Sequence, residues 1–178
     1  MTKRKSKVYM TILVAFVLTL MGTFSANASK KTTKAVNWQA PSEKRAYPNL
    51  TTHPHAYLAV SLKQQRVNVI DGNKKLYTMV VSSGKDNTTP KGTFAIQSER
   101  GANFYNAKLQ EGANYWTSFL DHGVYLFHSV PTKADGSYNV AEAKKLGRPA
   151  SHGCIRMTVA DAKWINENVP TGMKVIIK

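Results

Sequence analysis

From residue 56 onward the chain breaks into short β-branched and aromatic runs separated by turn residues, the pattern of packed strands. Residues 57–62, 66–70 and 76–82 read as three strands. The Asp71-Gly72-Asn73 step between the second and third predicts a tight hairpin, because Gly and Asn tolerate the positive φ that such turns require. A meander is the simplest topology for this part. Residues 92–97, 115–120, 124–128 and 174–177 add further strand candidates. Two segments carry helical signals: a short one over 140–146, and a better defined one over 159–169 with Thr158 as N-cap and Asp161 at the third helical position. The expected fold is therefore mostly β with one or two short helices.

Upstream of residue 56 the pattern differs. Lys3, Arg4, Lys5 and Lys7 precede an almost wholly apolar run over 8–20, and Ala26-Asn27-Ala28 follows. This is the layout of an export signal cleaved after Ala28, the alternative being an uncleaved anchor. Residues 29–54 are rich in Lys, Thr, Asn and Pro with scattered apolar positions, which predicts a basic, flexible tether. Trp38 and Tyr47 are its candidate anchors. His53 and His55, flanking Pro54, read as incidental and not as metal ligands. The expected organisation is a signal over 1–28, a linker over 29–54 and one folded domain over 55–178, with no integral membrane domain once the signal is removed.

Charge and cysteine content narrow the chemistry. Only four of the basic side chains behind the formal net charge of +15 lie in the signal, so the exported part stays strongly basic and is drawn to polyanions such as anionic cell-wall polymers. Nothing shows the arginine and aromatic interleaving of a nucleic-acid groove. One cysteine, Cys154, permits no intramolecular disulfide, and a lone exported thiol is an oxidation liability.

The residues around Cys154 make it a candidate nucleophile. In Ser151-His152-Gly153-Cys154-Ile155-Arg156-Met157 the thiol stands about a turn before the expected helix, where the helix dipole and Arg156 would favour a thiolate. The Gly153 and Cys154 amides could donate to an oxyanion. A base is needed as well, and His128 suits it at the end of the apolar run 124–127. His152, two residues before the thiol, is the competing base and otherwise a substrate-side or oxyanion-side residue. Arg156 is the favoured holder of a substrate carboxylate, ahead of Lys85 and Arg148. Tyr115, Trp116 and Phe127 are either groove-lining or core.

These residues resemble the L,D-transpeptidases with the YkuD-type catalytic domain: His128, then Ser151-His152-Gly153-Cys154 with Arg156. The turn from Ser83-Gly84-Lys85 to Thr89-Pro90-Lys91-Gly92-Thr93-Phe94 is similar to the glycine-proline turn by which that family enters a core strand beneath its active site. The resemblance implies a β-sandwich-like catalytic domain, with Cys154 as acylated nucleophile, His128 as base, the Ser129 carbonyl orienting its imidazole, and Gly153 and Cys154 amides as oxyanion hole. Ser151, His152 and Arg156 would sit on the substrate side. It further implies release of D-alanine from a tetrapeptide stem of peptidoglycan, transfer of the acyl group to an amine of a neighbouring stem, acylation by carbapenems, a secreted or cell-wall location, and no metal or organic cofactor. Residues 132–147 make the path from His128 to Ser151 longer than in compact members, so the short helix there either covers the groove or packs beside it.

Three rivals remain. Water in place of the acceptor amine gives a cysteine carboxypeptidase or endopeptidase with the same residues. A metal hydrolase using His128, His152 and Cys154 as ligands lacks the H-E-x-x-H helix typical of zinc peptidases. A non-catalytic wall-binding module would bury Cys154 as a packing residue.

Overall fold

The structure, a computed structural model, describes residues 35–178. The expected export signal over 1–28, and the first residues of the expected tether, lie outside the described residues. β1 (Tyr57–Ser61), β2 (Arg66–Asp71) and β3 (Lys74–Ser82) form the expected antiparallel meander. Period-two burial explains why these runs are strands: Leu58, Val60, Val67 and Val69 face the core, and the residues between them are only partly covered. Gly72, at φ +56°, opens the two-residue turn from β2 to β3 with the dihedral sign a primed hairpin turn requires.

The later strands are β4 (Gly92–Ala95), β5 (Arg100–Asn106), β6 (Glu111–Leu120), β7 (Tyr125–Ser129), β8 (Ile155–Met157) and β9 (Lys174–Ile177). All nine join one sheet in the order β4-β9-β1-β2-β3-β8-β7-β6-β5. The pairs β1–β9 and β7–β8 are parallel, and the rest are antiparallel. The sheet curls on itself, so Phe94 on β4 meets Phe119 on β6 with ring centroids 5.8 Å apart. Tyr77, Met79, Phe119, Phe127 and Ile155 fill the space between the layers. The fold is mostly β, as expected.

Two helices complete it. α1 (Val140–Ala143) is a single turn. α2 (Val159–Asn168) starts at Thr158, whose side chain accepts the Asp161 amide proton, and lays Trp164 and Ile165 into the core against β6 and β7. No helix among the described residues is long and apolar enough to cross a membrane.

The tether expectation fails over residues 35–54, which form a strap packed onto the domain. Trp38 lies 5.3 Å from Tyr138, and its carbonyl accepts the Val159 amide proton. Tyr47 stacks on Trp164 at 5.2 Å and touches Tyr77 at 4.7 Å. The reason is Asp161: its side chain is buried, and a buried carboxylate needs donors. Ser42 Oγ and Tyr47 Oη supply them. Burial pushes the Asp161 carboxyl up, and these strap hydrogen bonds oppose that rise. Glu43 adds a bond to the Thr78 amide at 2.8 Å.

Candidate active site

β8 places the candidate nucleophile. Its three residues are fully buried, held antiparallel to β3 and parallel to β7, with Ile155 opposite Phe127 and Arg156 opposite His128. Cys154 therefore emerges immediately before β8, alongside the start of β7, where its thiol lies 3.5 Å from the Val124 carbonyl. This corrects the idea of a thiol at a helix mouth. Ile155–Met157 separate Cys154 from the α2 N-terminus by about 10 Å of extended chain, beyond the first turn over which the dipole acts.

Cys154 and His128 line one cavity of about 530 Å³, together with Phe104, Glu111, Trp116 and Tyr125. The His128 imidazole is 3 % exposed. Its Nδ1 lies 2.7 Å from the Ser129 carbonyl oxygen. A carbonyl only accepts, so Nδ1 carries the proton and Nε2 keeps its lone pair, the tautomer a base requires. Phe104 meets the ring edge-on at 5.9 Å. Burial, helped by the nearby Arg156 charge, pushes the His128 pKa down to about 4. Burial likewise pushes the Cys154 thiol up to about 11, against a hydrogen bond from the Leu126 backbone and the Arg156 charge, with Glu111 adding to the rise. Near neutral pH the cavity therefore holds a neutral thiol and a neutral imidazole.

The loop before Cys154 is braced from within and from outside. Ser151 Oγ donates to the Cys154 carbonyl at 2.6 Å and accepts the Gly153 amide proton at 3.0 Å. Ser151 thus braces the loop while also lining the cavity, and the Gly153 amide is already engaged. Of the two amides expected in the oxyanion hole, that of Cys154 is left for the task. His152 is exposed and lines the cavity. From outside, Thr89 Oγ1 accepts the Gly84 amide proton and donates to the Gly153 carbonyl, at 2.7 and 2.8 Å, and the Lys85 amide donates to the Ser151 carbonyl. The turn over 83–94 is therefore a clamp on the thiol loop. The strand it enters, β4, is an edge strand mostly open to solvent, so the core-strand expectation is not met.

Both glycines of this contact are sterically required. A Cβ on Gly153, at φ +147°, would stand 3.0 Å from the Tyr125 ring, and one on Gly84 would stand 2.9 Å from Gly153 Cα and 2.1 Å from Thr88 Oγ1. Gly84→Ala is expected to displace the thiol loop and slow Cys154 acylation by about 10²-fold, the scale of an ångström-sized misplacement. The rate of acylation, followed by intact-protein mass alongside a melting curve, checks it.

Arg156 does not meet the sequence expectation. Its guanidinium, 3 % exposed, is held by Glu111 at 2.7 and 2.8 Å and by Glu142 at 3.0 Å. Buried between two carboxylates, it is not free to hold a substrate's. Glu142 belongs to α1, so residues 132–147 pack beside β8 and contribute none of the cavity's lining residues. Lys85 and Arg148 are exposed. Trp116 lines the cavity, Phe127 is core, and Tyr115 packs at the edge of the core. His53 pairs instead with Asp71 at 2.7 Å. Sequence reading missed Thr89 as the clamp and Glu111 and Glu142 as partners of Arg156. Thr89 lay inside a recognised motif, whereas neither glutamate carried a local signal.

Residues 55–177 match the family described as YkuD, L,D-transpeptidase catalytic domain. The chain belongs to the L,D-transpeptidase family. YciB of Bacillus subtilis (strain 168), which carries an L,D-transpeptidase name, is 46% identical over 153 residues, 83% of this chain and 78% of YciB. A crystal structure of a fused Zn-dependent amidase/peptidase/peptidoglycan-binding domain-containing protein from Clostridium acetobutylicum ATCC 824 is 31% identical with a TM-score of 0.53. That match covers 75% of this chain, which spans only 55% of the clostridial one. L,D-transpeptidase 3 from Mycobacterium tuberculosis, in complex with a faropenem-derived adduct, shares the fold at 20% identity and a TM-score of 0.52, over 70% of this chain and 60% of its own. The family membership supports a peptidoglycan-modifying enzyme.

Proposed function

We propose that the protein is an exported L,D-transpeptidase that works through a Cys154 acyl-enzyme on peptidoglycan stem peptides. The observation that carries this reading is the imidazole of His128, fixed through Nδ1 on the Ser129 carbonyl with its Nε2 lone pair free, in the same cavity as the only thiol. As the sulfur attacks the carbonyl of the third stem residue, its proton passes to Nε2, and the tetrahedral oxyanion receives the Cys154 amide. The C–N bond to D-alanine then breaks, and the proton leaves on the departing amine. A neighbouring stem's amine attacks the thioester, gives its proton to Nε2, and thiolate departure with reprotonation restores the resting pair. No step calls on a metal or an organic cofactor.

The resting neutral pair fits this order of events. A thiol held near 11 and an imidazole near 4 do not exchange their proton spontaneously, so transfer has to accompany attack. That protects a solitary exported thiol from oxidation, which proceeds through the thiolate. The export signal over 1–28 and the basic charge fit a location in the wall, among anionic polymers. Water in place of the amine would make the same site a carboxypeptidase. Incubation with tetrapeptide muropeptides tests the assignment: cross-linked dimers with free D-alanine are expected, and tripeptides alone would assign hydrolysis instead.

A further inference from the structure

A second cavity, of about 320 Å³, takes Ser83, Gly84 and Thr89 of the clamp as part of its wall and shares no lining residue with the thiol cavity. Sheet register explains its charge. β9 runs parallel to β1, with Val60 beside Ile177, and antiparallel to β4, with Gly92 beside the same Ile177. The end of β1, the end of β9 and the start of β4 therefore lie side by side. Just beyond them stand Lys63, Lys178 and Lys91, and all three line the cavity. Among the described residues none of the three has a carboxylate within ion-pair distance. Asp86 is the one acidic side chain of the lining. The main-chain carboxyl of Lys178, whose oxygen accepts the Leu62 amide proton at 2.8 Å, adds at most one more negative charge, so the lysines keep the excess.

The wall also holds a donor. Ser83 is 3 % exposed. Its amide donates to Gln65 Oε1 at 2.8 Å, which fixes the Gln65 side chain so that Nε2 donates to Ser83 Oγ at 2.7 Å. A hydroxyl carries one proton, and among the described residues the Ser83 hydroxyl only accepts. A buried donor without an acceptor is costly, and an anion in the cavity would answer it. Three ammonium groups on separate strand ends, acting as point charges, suit a phosphate. None of the lining residues is aromatic, so the stacking that holds single-stranded nucleic acid is missing. None of the exposed large hydrophobics, Tyr105, Leu109, Val124 and Val140, lines the cavity, so nothing there would enter a bilayer.

We infer that this cavity is an anion site for a phosphodiester of a non-aromatic wall polymer, by which the domain is held on the wall while its thiol cavity stays open. The inference goes beyond the acyl-enzyme reading and does not depend on it. The test is a binding titration of the whole protein with a glycerol-phosphate oligomer. Polyglutamate of equal charge and phosphatidylglycerol vesicles serve as the other arms, all at one fixed salt concentration because such binding is salt-dependent.

The oligomer is expected to bind more tightly than either alternative. Lys63→Gln and Lys91→Gln should each weaken it about fivefold, the scale of one exposed charge contact. Lys74→Gln is the control, since Lys74 is exposed at the opposite end of the strands, beside Asp71, and should change affinity less than about twofold. Asp86→Asn should tighten binding about threefold by removing the opposing charge. Asn tolerates the left-handed backbone of Asp86, at φ +52°. Equal binding of polyglutamate by the wild type overturns the phosphodiester assignment whatever the variants do, and tighter binding to vesicles reassigns the site to a lipid head group. A loss in Lys74→Gln as large as in Lys63→Gln would make the attraction one of diffuse surface charge and remove the site. Carbapenem adduct formation should be unchanged in all these variants, so a failure here and a failure of the acyl-enzyme reading are told apart.

Discussion

Cys154→Ala is expected to abolish both D-alanine release and the mass increment left by a carbapenem, while the protein still folds. The loss should be complete because no second thiol exists in the chain. Folding should survive because a thiol is a weak donor, so its 3.5 Å contact with the Val124 carbonyl contributes little, and the loop is braced by Ser151 and Thr89 instead. Intact-mass measurement after drug exposure, with a melting curve of the same sample, reads both halves. An adduct on the variant would move the nucleophile elsewhere.

The second large effect is that of His128. Replacing it with Ala is expected to slow acylation by about 10²–10⁴-fold, the span of a positioned base, and its titration makes a sharper claim. Only neutral imidazole accepts the thiol proton, and burial holds His128 neutral down to about 4. The acid limb of kcat/KM should therefore fall near pH 4 and not near the ordinary imidazole value of 6.5. Stability follows the same sign. Between 6.5 and about 4 the unfolded chain binds a proton that the folded chain refuses, so the stabilisation is whole above 6.5 and is lost as the pH drops to about 4. Its size is on the order of 3 kcal/mol. Denaturant titrations across that interval should show the slope in the wild type and a flatter one in His128→Gln. An acid limb centred at 6.5 would contradict the buried-base picture.

How much of this was legible in the sequence depended on range. The β1–β2–β3 meander announced itself through alternating buried residues and the Gly72 turn, both local signals. The thiol motif was equally local, and the upstream histidine could be chosen because an apolar strand leads into it. β5 gave no signal, since as the outermost strand it exposes residues on both faces and lacks alternation. β8 was hidden because three residues become a strand only through β3 and β7, which are distant in sequence. That hidden strand is why the helix-dipole argument for Cys154 failed. Arg156 was misjudged for a related reason: an arginine near a thiol suggests substrate binding until Glu111 and Glu142, far from it in the chain, arrive to cover it. The same holds for residues 35–54, whose polar composition gave no hint of Asp161 waiting for their hydroxyls.

That strap bears on how the molecule should be trimmed for the bench. The family boundary falls at residue 55, yet cutting there would strip the Ser42 and Tyr47 hydroxyls from a side chain with no access to water, unroof Trp164, and leave Tyr138 without its aromatic neighbour. The span that the family description matches and the span that should be expressed are therefore different lengths. Fragments begun upstream of residue 35 keep the first turn of α2 insulated.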